Sequence, residues 1–300
     1  MFIARALLLL FFLVLLSPSA RAQETREVSF LVEGTPRRAL LVNGPGPGQT
    51  APVVIVLHGG NASAEAQQER TGFDRLAVAE GFTVVYAEGT EWAPGRHAWN
   101  TGFLMRRQVS LANDIAYLDT LIDLLIQDHG ADPRRVFMTG GSNGAMMTLV
   151  YATQRAERLA AIAPVVGAMF SFDVQPGVPL PIMLINGGQD NEVPIEGGFS
   201  RNALVSRAQS APFRPLADTV QFWVTANRSQ APPVITTTGS VTTSVYGSTP
   251  DGAVTISVID QRGGHGWPGT GPVREGNVPI QSFDGAELVW QFFRTQSRVP

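Results

Sequence analysis

Apolar residues along this chain fall into two kinds of run. Short unbroken ones end at glycine or a charged residue: "PVVIVLHGG" from residue 52, "FTVVYAEG" from 82, "RVFMTGG" from 135, "LAAIAPVVG" from 159, "PIMLINGG" from 181 and "VTISVID" from 254. A segment apolar at every position has two buried faces, which suits a parallel strand covered on both sides. The second kind is periodic. In "NDIAYLDTLIDLLIQDHG" the residues Ile115, Leu118, Leu121, Ile122 and Leu125 repeat at helical spacing, with Gly130 placed as a stop. Further helices are expected over residues 67 to 80, 143 to 154 and 215 to 227 and in "GAELVWQFFRT", and a strand pair in "REVSFLV" and "RRALLV". Residues 232 to 252, rich in Thr, Val and Ser, are expected to form irregular strands or a surface excursion. Strands alternating with helices predict an α/β fold: a mostly parallel central sheet with helices on both faces.

The first residues follow neither pattern. "MFIARALLLLFFLVLLSPSARAQ" has one early charge at Arg5, an apolar run from Ala6 to Leu16 and then Ala20-Arg21-Ala22, which reads as a secretory signal peptide (residues 1–22) cut before Gln23. The apolar run is too short to span a bilayer as a helix, so an uncleaved anchor is the lesser alternative and no stable membrane association is expected after cleavage. The remainder, residues 23–300, fits a single catalytic domain in a protein that is periplasmic or extracellular. With no cysteine in the chain, no disulfide or thiol chemistry is available. The formal charge of −3 becomes −5 when Arg5 and Arg21 leave with the leader (20 basic against 25 acidic residues), so nothing points to nucleic acid.

Candidate chemistry gathers where the apolar runs stop. Gly140-Gly141-Ser142-Asn143-Gly144 fits G-x-S-x-G between a strand and a helix, the arrangement that presents a serine hydroxyl on a sharp turn. By itself the pattern also describes an ordinary turn. A serine nucleophile needs a base and the base an orienting carboxylate, in the chain order Ser, acid, His for this strand-helix architecture. His265, in "GGHGWPG", is the one histidine after Ser142. Asp190 in "GGQDNEVP" is the preferred acid, with Glu192 its rival and Asp173 a weaker one. For the oxyanion formed in acyl transfer, backbone N–H groups of Gly60 and Asn143 are the candidate donors, with Asn61 an alternative to Gly60. His58 is read as structural. Trp92, Trp99 and Trp267 are candidates for an aromatic wall of the substrate cleft, Trp267 by its closeness to His265.

The set "VVIVLHGG", "WNTG", "DPRRVFMTGGSNGAMM", "PIMLINGGQDNEVPIEGG" and "GGHGWPG" resembles the secreted esterase family that includes poly(3-hydroxybutyrate) depolymerases and feruloyl or acetylxylan esterases. The resemblance covers about residues 27 to 295 and implies an α/β-hydrolase fold and carboxylic-ester hydrolysis through Ser142, His265 and Asp190, with no metal and no organic cofactor. It implies an ester substrate, oligomeric or polymeric. Two features depart from the family: Asn186 stands where a histidine usually opens the aspartate loop, and the cysteines common in secreted members are missing. No polymer-binding module is read after the catalytic region, which disfavours crystalline polyester. A peptidase of the same fold, or a binding protein without turnover, are the alternatives.

Overall fold

The computed structural model describes residues 24–42, 44, 49–102, 107–270 and 278–298; the leader read at residues 1–22 lies outside them. The chain opens with a hairpin, β1 (Thr25–Val32) and β2 (Thr35–Val42), and continues through β3 (Ala51–Leu57), α1 (Ala64–Thr71), α2 (Phe73–Glu80) and β4 (Thr83–Ala87). A small hairpin, β5 (Thr90–Ala93) and β6 (Arg96–Ala98), precedes a helical turn α3 (Arg107–Ser110) and the long helix α4 (Asp114–Asp128). Then come β7 (Ala131–Gly141), α5 (Asn143–Arg155), β8 (Ala161–Val165), β9 (Ile182–Gly187), α6 (Ala203–Ser206) and α7 (Leu216–Ala226). The described chain closes with β10 (Val234–Thr238), β11 (Val241–Tyr246), β12 (Thr255–Asp260) and α8 (Gly285–Phe293).

Ten strands form one sheet in the order β1-β2-β4-β3-β7-β8-β9-β12-β11-β10. The six central strands, which are the six unbroken apolar runs, pair in parallel, and antiparallel strands extend both margins. Alternate residues of each central strand enter different cores, which is why apolar residues occupy both faces of these strands. Val53, Ile55 and Leu57 join Leu118, Leu121, Met147 and Trp223 from α4, α5 and α7. Val54 and Val56 join Phe73, Leu76, Val289 and Phe293 from α2 and α8 on the other face. Helices therefore cover both faces of the sheet.

Two expectations change. The helix expected over residues 67 to 80 is two helices, because Gly72 takes a left-handed φ of 74° and both ends α1 and starts α2. Residues 232 to 252 hold a regular hairpin, β10 and β11, whose polar Thr-rich faces suit a sheet margin open to solvent. Among the described residues no helix is long and apolar enough to cross a membrane.

Candidate active site

The turn between β7 and α5 carries Ser142 at φ 56° and ψ −119°, a region that L residues rarely occupy. Such strain costs on the order of 1–3 kcal/mol and persists only where neighbours fix it. Here Ser142 N–H donates to Val165 O of β8 at 3.0 Å, and its carbonyl accepts from Met146 N–H at 3.0 Å. The flanking glycines are required by closeness. A Cβ on Gly140 would lie 2.7 Å from Leu57 O, and one on Gly144 would lie 2.6 Å from His58 O. The end of β3 thus presses directly on the serine turn, and the α5 N-terminus opens beside the serine, a favourable place for an anion.

The loops after β9 and β12 are joined to each other. Gly188 N–H donates to Asp260 O and Gln189 N–H to Gly263 O, both at 2.8 Å. Asp190 is buried, with its Oδ1 accepting from the N–H groups of Glu192 and Val193 at 2.8 Å each. Its Oδ2 lies 2.8 Å from His265 Nδ1. Glu192, the rival acid, meets the opposite nitrogen: its Oε2 is 3.6 Å from His265 Nε2. Asp173 is hydrogen-bonded to Ser171 on the surface and lines a different hollow from Ser142. Ser142, Asp190 and His265 follow the C-terminal ends of β7, β9 and β12, with β8 filling the place between β7 and β9. The His265 loop is laid against the serine turn, since a Cβ on Gly141 would touch Trp267 at 3.9 Å.

Asn186, which departs from the histidine that the resemblance implies here, lies near the end of β9. Its buried side-chain amide donates to Gly167 O at 3.2 Å and ties β9 to the loop after β8.

His58 is buried with both ring nitrogens engaged, Nδ1 with Gly59 O at 2.8 Å and Nε2 accepting from Gly89 N–H at 2.9 Å. Burial lowers its pKa to about 4, so the neutral ring braces the "HGG" turn. Within that turn Asn61 N–H is already committed to His97 O at 2.8 Å, which argues against its backbone as an oxyanion donor. Gly60 lies next to the helix start, its would-be Cβ 3.6 Å from Asn143 Cβ.

Two of the three tryptophans expected at the cleft are packed inside instead. Trp99 is fully buried between His58 and Tyr117, with its indole N–H donating to His58 O at 2.9 Å. Trp267 is 2% exposed and packs edge-on against Phe73 in the core under α8. Closeness to His265 in sequence does not bring its ring to the cleft; packing against Phe73 places it in the core. Trp92 does line the cavity that contains Ser142, and the Arg96 guanidinium stands 6.0 Å from its ring centre.

That cavity measures about 220 Å³ and is bounded by Ser142, Asn143, Gly60 and Asn61. Trp92 and Arg96 form one part of its wall, while Met146, Val193 and Phe213 make an apolar part and Glu192 an acidic one. Sequence reasoning missed Arg96, Val193 and Phe213, because the short β5–β6 hairpin and the residue 193 to 213 excursion have no periodic signal. Larger hollows of about 600, 430 and 340 Å³ lie elsewhere: the first is lined by Arg37, Arg38, Glu88 and His97, the second shares only Met146 with the Ser142 cavity, and the third lies beside Phe172 and Phe222. Of these, the smallest is the candidate site, because it alone includes the strained serine. Among the described residues no cluster of side chains suits a metal ion.

A mostly parallel sheet covered by helices, with a serine on a strained strand-to-helix turn, defines the α/β-hydrolase fold. The family model described as "Esterase PHB depolymerase" matches residues 39–184. NocK of Nocardia uniformis subsp. tsuyamanensis, itself named only as a candidate esterase, is 31% identical over 268 residues, 84% of this chain and 76% of that protein. The bifunctional acetylxylan esterase/xylanase XynS20E of Neocallimastix patriciarum is 29% identical over 154 residues, 51% of this chain but 21% of that protein. A solved acetyl xylan esterase from Aspergillus awamori superposes with a TM-score of 0.63 over 90% of this chain and 99% of that one, at 15% identity, and so speaks for the fold. The chain belongs to the PHB-depolymerase-like esterase family and is a carboxylic-ester hydrolase.

Proposed function

We propose that this protein is a secreted serine esterase that works through an acyl-enzyme on Ser142. The observation that carries the reading is the strained Ser142 turn at the same sheet edge as the 2.8 Å pair of Asp190 and His265. Ser142 Oγ attacks the ester carbonyl carbon and its proton passes to His265 Nε2. The carbonyl oxygen becomes an oxyanion, held by the N–H groups of Gly60 and Asn143. Collapse of this intermediate breaks the bond to the leaving oxygen as His265 returns the proton to it. Water then takes the place of the alcohol and repeats the cycle, releasing the acid and restoring Ser142. Asp190 holds the imidazole in the tautomer with a proton on Nδ1 and stabilises the imidazolium.

Substrate class follows from the small cavity, with its half-exposed aromatic Trp92 and apolar Met146, Val193 and Phe213. A short acyl group such as acetyl, or a feruloyl ring against Trp92, suits this space, and the hydroxyalkanoate chain is the competing substrate. Residues 1–22 are the proposed export signal, and one continuous sheet from Thr25 to Asp260 supports a single catalytic unit over 23–300. A panel of short p-nitrophenyl esters, methyl ferulate, acetylated xylan and hydroxybutyrate oligomers tests the reading. Turnover on at least one ester, lost in Ser142→Ala, is expected; no turnover on any of them would count against it.

A further inference from the structure

Glu192 stands out because the proposed mechanism does not use it, yet its Oε2 lies 3.6 Å from His265 Nε2, the nitrogen that handles the proton. Its side chain keeps 21% exposure and lines the cavity with Ser142. Its position is built: the Glu192 backbone N–H is held by Asp190 Oδ1 at 2.8 Å, so the turn that orients the acid also aims Glu192.

We propose that Glu192 is a specificity-determining residue that accepts a hydrogen bond from a hydroxyl on the carbon next to the one bearing the scissile ester oxygen. The inference rests on the reading of Ser142 and His265 as nucleophile and base. To be protonated, the leaving oxygen must come within about 3 Å of Nε2. Glu192 Oε2 is itself 3.6 Å from that nitrogen, so a hydroxyl one carbon–carbon bond beyond the leaving oxygen falls within its reach. An ionised carboxylate only accepts hydrogen bonds, so it favours a donor there and repels an anion. Leaving alcohols with a neighbouring hydroxyl, the polyols and sugars, satisfy it. A hydroxyalkanoate leaving group has no hydroxyl beside the ester oxygen, and a leaving group with a carboxylate near that oxygen is opposed by charge.

The test keeps the acyl group constant. The kcat/KM values for 2-hydroxyethyl acetate, propyl acetate and acetoxyacetate are measured for the wild type, Glu192→Gln and Glu192→Leu. Reactivity differences among the alcohols are common to all three proteins, and alkaline hydrolysis supplies their baseline. We expect the wild type to favour 2-hydroxyethyl acetate over propyl acetate by on the order of tenfold beyond that baseline, as a charged hydrogen bond allows. Glu192→Leu should bring the ratio back to the baseline. Glu192→Gln, which keeps an acceptor oxygen, should retain part of the preference while losing the discrimination against acetoxyacetate. A ratio unchanged in Glu192→Leu, or already at baseline in the wild type, overturns the assignment while leaving the esterase reading intact. Hydrolysis that persists in Ser142→Ala overturns both.

Discussion

Asn143 holds Trp99 by both ends of its peptide backbone: Oδ1 accepts from Trp99 N–H at 2.7 Å, and Nδ2 donates to Trp99 O at 3.2 Å. The residue proposed to give its own N–H to the oxyanion therefore also fixes the loop above it. Asn143→Ala leaves two buried backbone groups unpaired, at about 1–3 kcal/mol each. Thermal unfolding should shift down by roughly 4–8 °C or more, since each kcal/mol moves Tm by about 2–4 °C at this size. Asn143→Asp, which can still accept from Trp99 N–H, should fall between. Equal midpoints for Asn143→Ala and wild type would deny the clasp any weight.

Strain at Ser142 gives a prediction of opposite sign. Glycine adopts a φ of 56° without the clash that a side chain meets. Ser142→Gly should abolish turnover and yet raise the calorimetric midpoint by a few degrees, on the order of 1 kcal/mol. A lowered midpoint would mean that the hydroxyl supports the fold instead of being held against it.

The parts of this site that were legible beforehand are those with a local cause. "PVVIVL" announced a strand buried on both faces because alternate residues enter two cores, and "GGSNG" announced the turn because Gly140 and Gly144 have no room for a Cβ. Orientation was another matter. Trp267 stood beside His265 in sequence and Trp99 in the family-like "WNTG" segment, but their rings are placed by His58, Tyr117 and Phe73, residues distant in the chain. Similarly, Asp190 is preferred over its rival Glu192 in "QDNE" from placement alone, and only the fold sets Asp190 on Nδ1 and Glu192 beside Nε2 of the same imidazole.

This correction can be tested directly. Trp92→Ala, at a half-exposed position on the cavity, should weaken binding of aromatic acyl esters and raise KM with little change in midpoint. Trp267→Ala removes a buried ring and should cost about 3–5 kcal/mol. If Trp267→Ala kept its stability and changed only KM, the ring would belong to the cleft after all.

Acid stability follows from His58. Burial lowers its pKa from 6.5 to about 4, so the unfolded chain binds the proton first as pH falls. The contribution is complete above pH 6.5 and is lost progressively between about 6.5 and 4, a change of about 3 kcal/mol. Glu65, held down to about 2 by Arg38, has the same sign but acts only below its ordinary value of 4.5. His129 is also lowered, by partial burial, and adds to the slope in the His58 window. Urea unfolding at pH 7 and pH 5 should show a smaller pH dependence in His58→Gln than in wild type, whatever its absolute stability. An equal slope in both proteins would assign the effect to other groups.

Labelling with a serine-directed phosphonate probes the central claim most directly. The intact wild-type protein should take up one equivalent of probe, and mass spectrometry of its peptides should place the adduct on Ser142, with none on Ser142→Ala. An unlabelled wild type, or an adduct that persists in the alanine variant, would contradict the assignment of Ser142 as the nucleophile.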